Sequence, residues 1–519
     1  MSDVTVVPLV CVWETTMGCN MRCLHCGSSC EDELDNELDT DEALQLIQSM
    51  KDVGLKQITL SGGEPTIRED IHILSKALSD ANIGVTWISN GWLIDENMVN
   101  KALEAGVEYI AMSLDGLEET HDKIRRPGSF KKIIQTFDLL QNKGIESGAI
   151  TTLNSINIFE LEELGEVLLN KGIDHWQFQI GLPMGNMSHN KDELLLSPND
   201  IHRVVDFAFE FSEKNKTPKI HLVDSIGYYN VKEIQVKQKI MPAEDAIWPG
   251  CGAGRAGFGV LSNGDVVPCT SIRNPDFIEG NVKDRTLIDI WLNGFSYFRD
   301  FSHNQLKGFC SDCMYSPVCL GGCANSRYSI NGSLESDNEY CLYSLMIKRE
   351  LEKIPIFSDK HDIELFVEQC ESNNNYQLLN SYIQKIMPHF KDMKHEYNYL
   401  LNMLSYSYFK LELFEKAIIN CQLVLEKFKG DALALKGLGL SQYSLGNIDE
   451  GKKNMFLSIK NTDKSFMEPY TDLITLLLNE KDEKQALRVY KSALDKDPQY
   501  DYPYFSDKKE YVLQDIFVS

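Results

Sequence analysis

Strand-like and helix-like segments alternate over the first 230 residues, and this alternation limits the possible folds more than any other feature. Six short apolar runs are separated by amphipathic helical segments. The runs lie at residues 10–15, 57–60, 85–89, 109–114, 149–153 and 175–180. Strands that are joined by helices form parallel sheets or barrels. The pattern therefore predicts an α/β fold, a partial (β/α)6 TIM-like barrel.

Three cysteines follow the first of these strands, in the segment CNMRCLHC. Cys19, Cys23 and Cys26 thus lie where such folds place their chemistry, at the C-terminal end of a strand. Closely spaced cysteines in a reducing compartment indicate a metal site rather than disulfides. Three thiolates leave one position of a four-iron cluster open, as a catalytic site requires. The triplet predicts an iron–sulfur centre that binds a further ligand.

The charge and the hydropathy pattern exclude several classes of protein. The chain has 51 Lys and Arg against 77 Asp and Glu, a formal charge of −26. A nucleic-acid-binding surface needs a basic face, so we expect no nucleic-acid partner. The N-terminal segment lacks the pattern of a secretory signal, and no apolar run reaches the roughly 18 residues of a membrane span. We expect a cytoplasmic protein with no membrane partner.

A second cysteine-rich segment extends from residue 251 to residue 341. Its seven cysteines are Cys251, Cys269, Cys310, Cys313, Cys319, Cys323 and Cys341. Four of them form the spacing C-x2-C-x5-C-x3-C, which seldom arises by chance at this composition. The segment is rich in glycine and has few long helical patterns, so its fold is expected to depend on bound metal.

The triplet, the segment SGGEP at residues 61–65 and the seven later cysteines resemble radical S-adenosylmethionine (SAM) enzymes of the SPASM branch. The resemblance implies S-adenosyl-L-methionine and three [4Fe–4S] clusters as cofactors. It implies that Cys19, Cys23 and Cys26 hold the SAM-binding cluster. Reduction of that cluster would release a 5′-deoxyadenosyl radical, which abstracts hydrogen from the substrate. An external electron donor such as flavodoxin or ferredoxin is implied as a partner.

The same resemblance divides the later cysteines between two auxiliary clusters. The distal cluster would be ligated by Cys310, Cys313, Cys319 and Cys341. The proximal cluster would be ligated by Cys251, Cys269 and Cys323, which leaves one iron open or bound by another protein group. Zinc bound by these cysteines is the alternative to iron–sulfur clusters.

Residues at the ends of strands two to four resemble the SAM contacts of this family. The implied cofactor-binding residues are Gly62, Gly63, Glu64, Asn90, Ser113 and Arg125. Arginine suits the SAM carboxylate because of its forked geometry, and the adjacent Arg126 is an alternative to Arg125. Gln177 and Gln179 lie in strand six and are expected as neighbours of adenine or substrate, with packing as the alternative.

Three residues depart from related patterns or lie outside them. Gly257 occupies a position that is cysteine in some relatives, and Thr270 replaces an acidic base that follows the second cysteine in sulfatase maturases. The second departure disfavours a sulfatase-maturase function, and no catalytic base is assigned. Cys30 is expected at the surface, with a contact to the active site as the alternative.

Residues from about 395 to 500 repeat at a fixed period. Ala417, Gly451 and Ala486 occupy matching positions, 34 and then 35 residues apart. This period resembles the tetratricopeptide repeat (TPR), whose stacked helix pairs form a concave surface that binds peptides or proteins. The stretch from about 360 to 395 is either a degenerate repeat or a connector. The alternative to an all-α TPR-like solenoid is a generic helical bundle.

These features predict four regions and one preferred function. The regions are a radical SAM partial barrel at 1–230, a linker at 231–250, a SPASM domain at 251–345 and a TPR-like domain at 360–505. The preferred function is oxidative modification of a ribosomally made peptide or protein side chain, by a thioether or carbon–carbon cross-link or by dehydrogenation. The precursor peptide or protein would be the partner, held by the repeats. The alternatives are a small-molecule substrate, such as a tetrapyrrole or carbohydrate precursor, and a non-catalytic iron–sulfur scaffold.

Overall fold

The structure is a computed structural model that describes residues 7–224 and 226–509. Contacts divide the chain into two compact units. The first unit contains the described residues up to Ser311 together with Tyr315–Met346. The second contains Asp312–Met314 and the described residues from Ile347 onward.

The first unit is built on a single ten-stranded sheet. Its strands are β1 (Val10–Glu14), β2 (Gln57–Ser61), β3 (Gly84–Ser89), β4 (Val107–Ser113), β5 (Glu146–Leu153), β6 (His175–Ile180), β7 (Lys219–Leu222), β8 (Gly257–Val260), β9 (Asp265–Val267) and β10 (Gly280–Asn281). Their spatial order is β10-β9-β8-β1-β2-β3-β4-β5-β6-β7. Every neighbouring pair from β8 through β1 to β7 is parallel, whereas β8–β9 and β9–β10 are antiparallel.

Helices cover the sheet and continue into the cysteine-rich segment. Those of the first unit are α1 (Thr40–Asp52), α2 (Ile71–Asp80), α3 (Glu96–Glu104), α4 (Glu118–Ile124), α5 (Ser129–Lys143), α6 (Leu161–Asn170), α7 (Gly185–His189), α8 (Lys191–Leu194), α9 (Ile201–Lys214), α10 (Val231–Lys237), α11 (Leu287–Asn293), α12 (Ser296–Arg299), α13 (Gly308–Ser311), α14 (Ser316–Cys319) and α15 (Ala324–Asn331). The helix α16 (Leu342–Lys353) begins in the first unit and ends in the second.

Local signals account for where these helices begin and end. The Asp39 side chain accepts a hydrogen bond from the backbone N–H of Glu42, and the Glu42 side chain accepts one from the backbone N–H of Asp39, so a capping box starts α1. Gly144 ends α5 with φ of +74°, a conformation that favours glycine. The apolar faces of β1–β8 and the long helices pack into one continuous core around fully buried Trp13, Trp87 and Trp176.

The parallel α/β fold is confirmed, and all six predicted strands are present. Two parallel strands were not predicted. The strand β7 extends the sheet beyond β6, and β8 pairs with β1 through Val10 and Gly257. Both strands have only four residues, which is too short for a clear alternating pattern. The region expected to be a linker contains α10.

The second unit is all-helical over its described residues. Beyond the end of α16 its helices are α17 (Lys360–Ser372), α18 (Tyr376–Ile386), α19 (Lys394–Lys410), α20 (Phe414–Lys427), α21 (Ala432–Ser444), α22 (Ile448–Asn461), α23 (Glu468–Asn479) and α24 (Glu483–Lys496). Helices α20, α22 and α24 begin at Phe414, Ile448 and Glu483, which are 34 and then 35 residues apart. Consecutive helices pack on one another, and α17 packs on α18 in the stretch that the sequence left open.

The small residues of the repeat lie where helices approach closely. A Cβ added to Gly451 in α22 would lie 2.8 Å from the backbone oxygen of Gly439 in α21. The reverse contact has the same distance, because a Cβ on Gly439 would lie 2.8 Å from the Gly451 oxygen. A larger side chain at either position must therefore separate the two helices.

Gly451→Leu is expected to destabilise this helix pair by about 1–3 kcal/mol, since it overpacks a backbone contact. Hydrogen exchange of α21 and α22 amides in the full chain measures the effect. Gly430→Ala is the control, because the nearest atoms to its added Cβ belong to the side chain of Asn461. Equal protection in the two variants would show that the helices do not need glycine here.

Candidate functional site

A cavity of about 470 Å³ lies where the parallel strands end. All nine residues predicted for the SAM cluster and for SAM line it: Cys19, Cys23, Cys26, Gly62, Gly63, Glu64, Asn90, Ser113 and Arg125. Gln177 and Gln179 of β6 line the same cavity, as do Cys269 and Thr270 from the cysteine-rich segment. The structure therefore gathers side chains that are spread over 250 residues of sequence into one site.

The glycine pair shapes the start of the cysteine loop. A Cβ on Gly62 would lie 2.4 Å from the Thr16 oxygen, and a Cβ on Gly63 would lie 2.0 Å from the Gly18 oxygen. The backbones also join directly, since Gly63 N–H donates to Thr16 at 2.7 Å and Glu64 N–H donates to Gly18 at 2.9 Å. Glycine is thus required here for contact with the segment that precedes Cys19, whatever ligand the cavity holds.

Glu64 fixes the ends of two strands rather than presenting a free carboxylate. Its Oε1 accepts hydrogen bonds from the Ser89 hydroxyl at 2.8 Å and from Thr66, and its Oε2 accepts one from Asn90 N–H at 2.7 Å. Burial raises the pKa of this carboxyl, and these donors act in the opposite direction. Its contact with SAM stays a prediction, but its role in holding β2 and β3 together at the cavity is visible.

The amide of Asn90 extends this network to the cysteine loop. Its Nδ2 donates to Asn20 Oδ1 at 2.7 Å, and Asn20 directly follows the first cysteine of the triplet. Arg126 donates to the Asn20 backbone oxygen at 3.0 Å and stacks over the Trp92 ring at 3.9 Å. Arg126 does not line the cavity, whereas Arg125 does. Arg125 is therefore the better placed of the two for an anionic ligand.

A buried carboxylate, Asp115, links the cysteine loop to the barrel. His25, within the triplet, contacts Asp115 at 2.7 Å, and Arg125 donates to the same oxygen. The other oxygen accepts from Thr152 N–H of β5 at 2.7 Å. Burial disfavours the charged form, but Arg125 and then His25 hold the pKa of Asp115 far below its usual range. A carboxylate paired in this way stays ionised and orients its partners.

Sequence reasoning missed the pairing of His25 with Asp115. Neither residue was assigned a role from the sequence. The two residues are 90 positions apart, so no local pattern joins them. The available signal was the position of His25 between two predicted cluster cysteines, which suggests a contact with a neighbouring part of the barrel.

Cys30 is buried against the site rather than exposed at the surface. It is 4% accessible and lines the cavity, so the expectation of a surface position was wrong. A hydrogen bond from the Cys30 thiol is the largest factor that lowers the pKa of Cys26, to about 5. The loop closes back beside the triplet because Cys19 N–H donates to Glu31 at 2.8 Å.

An ion pair joins the first strand to the cysteine-rich segment. Arg273 donates to Glu14 at the end of β1 and to the Ser28 hydroxyl. All three residues line the cavity. Glu14 is 5% accessible, and burial raises the pKa of its carboxyl against the opposing charge of Arg273. Both arginines in the cavity wall are therefore already paired with a carboxylate.

In the first unit, Cys251, Cys269 and Cys323 influence one another electrostatically, as do Cys310, Cys319 and Cys341, and the clusters that they would hold stay predictions. Burial raises the pKa of Cys269 to about 12, and the charge of Cys251 adds to the effect. Burial also raises the pKa of Cys323, and the charges of Asp224, Cys251 and Cys269 raise it further. Burial likewise raises the pKa of Cys319 to about 12, and the charge of Cys341 adds to the effect. Burial also raises the pKa of Cys310, and the charges of Asp337, Cys341 and Cys319 raise it further.

Cys313 lies in the segment Asp312–Met314, which belongs to the second unit, so its predicted membership of the distal group stays a prediction. Among the described residues, no three His, Cys, Asp or Glu side chains are arranged around a single metal ion. A four-iron cluster takes its ligands from separate corners of a cube and does not need such convergence. The predicted cluster ligands therefore stay predictions.

The residues present fit an open iron–sulfur cluster with a bound amino acid. Three cysteines share a cavity with a buried guanidinium, Arg125, which also lies 3.9 Å from the Cys23 sulfur. Asn20 Nδ2, beside the triplet, is buried without a hydrogen-bond partner among the described residues. An open iron accepts amino and carboxylate groups, and the arginine offers further N–H donors to a carboxylate.

Comparison with protein families decides the class. Residues 13–168 match the radical SAM superfamily, and residues 251–314 match the SPASM iron–sulfur cluster-binding domain. The chain contains a radical SAM domain and a SPASM domain. The first match includes the cysteine triplet and strands β2 to β5, and the second includes Cys251, Cys269, Cys310 and Cys313.

Curated relatives of this radical SAM enzyme have more than one activity. It is 29% identical to the AdoMet-dependent heme synthase of Methanosarcina barkeri, over 66% of this chain and 99% of that protein. It is 25% identical to the mycofactocin maturase of Mycolicibacterium smegmatis, over 64% of this chain and 83% of that protein.

Solved structures support the fold. Streptococcus suis SuiB bound to S-adenosylmethionine matches 64% of this chain and 76% of that chain, with a TM-score of 0.53 and 18% identity. The enzyme anSMEcpe bound to AdoMet and a peptide matches 64% and 93%, with a TM-score of 0.51 and 20% identity. In the described part of this chain, no helix combines the length and the apolar character that crossing a bilayer requires.

The buried histidine His121, which accepts a hydrogen bond from the backbone of Asp115, predicts a pH dependence of stability. Burial, and then the charge of Arg125, lowers the pKa of His121 to about 4, whereas an unfolded histidine titrates near about 6.5. The neutral form is therefore favoured by folding. The contribution of neutral His121 to the free energy of unfolding is complete above about pH 6.5 and is lost as the pH falls toward about 4.

As the pH is lowered from about 6.5 to about 4, the free energy of unfolding of the parent enzyme should decrease more steeply than that of His121→Asn. The difference between the two slopes should reach up to about 1.4 kcal/mol per pH unit. Asparagine retains an acceptor for the Asp115 N–H, which donates to His121 Nδ1 at 3.1 Å. Urea unfolding followed by tryptophan fluorescence measures both slopes. Equal slopes would contradict a buried neutral histidine.

Proposed function

We propose that this enzyme oxidatively modifies a ribosomally made peptide or a protein side chain. The reaction class is a thioether or carbon–carbon cross-link or a dehydrogenation. When bound, SAM and its cluster supply a 5′-deoxyadenosyl radical that removes hydrogen from the substrate. Cys19, Cys23 and Cys26 would hold the cluster, and Gly62, Gly63, Glu64, Asn90, Ser113 and Arg125 would surround SAM. Two auxiliary clusters, an external electron donor and a cytoplasmic location complete the proposal.

The charge of the cavity wall carries this proposal. Arg125 pairs with Asp115, and Arg273 pairs with Glu14. Glu14, Glu64 and Asp224 also line the cavity, so acidic groups outnumber the arginines in its wall. A substrate with several carboxylates, such as a propionate-bearing tetrapyrrole, would find no arginine free of a protein carboxylate. A peptide side chain needs no such cation.

The volume of the cavity also favours a peptide side chain as substrate. Its volume of about 470 Å³ lies in the lower half of the range for a single small-molecule ligand. The cofactor has to share this space with the substrate. The remaining room suits one inserted side chain, whose peptide backbone stays outside, better than a whole macrocycle.

Relatives add support and one alternative. The mycofactocin maturase is named as a maturase, and SuiB has been solved bound to the precursor peptide SuiA. The heme synthase of Methanosarcina barkeri favours a tetrapyrrole instead, because almost its whole length aligns with this chain. In either case the helical repeats of the second unit are proposed to hold a peptide or protein partner, in the manner of TPR-like domains.

Cys19→Ala should abolish formation of 5′-deoxyadenosine, because two thiolates do not hold a cubane with one defined open iron. The assay is chromatography of SAM products after anaerobic reduction. Cys11→Ala is the matched control, since Cys11 is buried in β1 outside the cavity wall. Retained cleavage in Cys19→Ala would remove these cysteines from cofactor binding.

Co-expression separates the two substrate classes. Each short peptide encoded beside the gene is produced with the parent enzyme or with Cys19→Ala, and intact masses are compared. Loss of one hydrogen pair per modified site, only with the parent enzyme, is the expected result, and fragmentation locates the new bond. Unchanged peptide masses, together with turnover of a carboxylated iron porphyrin by the reduced enzyme, would overturn the peptide assignment.

A further inference from the structure

The proximal group of cysteines has three members, and the structure shows why a fourth is missing. In some relatives a further cysteine lies six residues after the first, at the position of Gly257. Here Gly257 begins β8 and pairs with Val10 of β1. A Cβ at Gly257 would lie 2.7 Å from the Val10 backbone oxygen. The close strand pairing therefore excludes a cysteine ligand at this position unless β1 moves.

A carboxylate lies beside the three cysteines. Asp224 follows β7 and lines the cavity together with Cys269. Its side chain is exposed to the cavity. The charge of Asp224 acts electrostatically on both Cys269 and Cys323. The carboxylate is therefore close to two members of the group.

One buried tyrosine fixes this arrangement. The Tyr228 hydroxyl donates to the backbone oxygen of Asp224 and accepts from the backbone N–H of Cys323 at 2.8 Å. Tyr228 is 1% accessible, so the backbones of Asp224 and Cys323 are held on either side of a single immobile oxygen. The loop from β7 to α10 is thereby attached to the cysteine group.

The loop holds an unusual backbone conformation. Asp224, Tyr228 and Tyr229 have φ of +56°, +68° and +56°, and Gly227 has φ of +100°. Left-handed backbone costs about 1–2 kcal/mol for each non-glycine residue. Such strain persists only where surrounding contacts enforce it, and it is concentrated at functional sites. Gly227 also accepts from Leu342 N–H at 3.0 Å, next to Cys341.

Other polar groups near Cys269 are already engaged. Ser271 donates to the Cys269 sulfur, and Asn325 Oδ1 accepts from the Ser329 hydroxyl at 2.8 Å. Glu14 pairs with Arg273. By contrast, no described residue donates a hydrogen bond to the Asp224 carboxylate or forms an ion pair with it. The Asp224 carboxylate is open to the cavity and unpaired within the described residues, and carboxylate oxygen is a known ligand of iron.

We propose that the Asp224 carboxylate is the fourth protein ligand of the proximal auxiliary iron–sulfur cluster, completing a three-cysteine, one-aspartate set with Cys251, Cys269 and Cys323. Arg327 balances the added negative charge. Arg327 is 2% accessible and lies within electrostatic reach of Cys251, Cys310 and Cys323, and its Nε has no hydrogen-bond partner among the described residues. This inference rests on the SPASM assignment and involves no substrate.

The proposal is tested in a parent that carries only the auxiliary clusters, made by replacing Cys19, Cys23 and Cys26 with alanine. This removes the other open iron. The protein is reconstituted anaerobically and reduced, ¹³C-cyanide is added, and pulsed electron paramagnetic resonance detects carbon bound to iron. The parent and the control Asp276→Ala, whose side chain is exposed, should show no ¹³C coupling. Asp224→Ala should show it, because one iron becomes open.

Asp224→Cys keeps a fourth ligand and covers the case in which Asp224→Ala loses iron. It should retain the iron content of the parent, bind no cyanide, and shift the spectrum and lower the reduction potential of one cluster, because thiolate replaces carboxylate. Cyanide binding by the parent would overturn the proposal and show an open iron. An Asp224→Cys spectrum and potential identical to those of the parent would also overturn it. Neither result bears on whether the substrate is a peptide.

Discussion

The buried charge of Asp115 is the interaction on which the candidate site depends. It lies between the cysteine loop, the end of β4, the strand β5 and the segment that follows α4, and it contacts all of them through side chains or backbone. A charge with so little exposure is stable only while its partners remain in place. Movement of His25 or Arg125 would leave it uncompensated, so one residue couples the position of the cysteines to the position of the arginine.

Much of the fold and of the site could be predicted from local sequence. Strand and helix periods identified the parallel sheet, and the resemblance to radical SAM enzymes supplied the nine predicted residues that line the cavity. The pairing of His25 with Asp115, and of Arg273 with Glu14, could not be predicted, because the partners are 90 and 259 residues apart. The role of the glycine pair was also underestimated, since a sequence does not show which backbone lies opposite.

The cysteine-rich segment, residues 251–341, is held together by different interactions from those of the barrel. Its helices and strands are short, and its side chains pack as a small cluster around partly buried Cys251 and Cys269. Several left-handed residues hold the loop after β7 against this cluster. Arg327 places a guanidinium in the interior of this region, where it is 2% accessible. Position in this region is therefore set by polar and backbone contacts, which compensate for the small apolar core.

The pairing of β8 with β1 has a consequence for how the protein can be divided. The radical SAM barrel and the cysteine-rich segment share a continuous ladder of backbone hydrogen bonds. A fragment that ended before residue 257 would expose the edge of β1, with unpaired N–H and C=O groups beside apolar side chains. Such edges recruit strands from other molecules. The auxiliary segment thus acts as the protective border of the catalytic sheet, and the first 230 residues are not a separable enzyme.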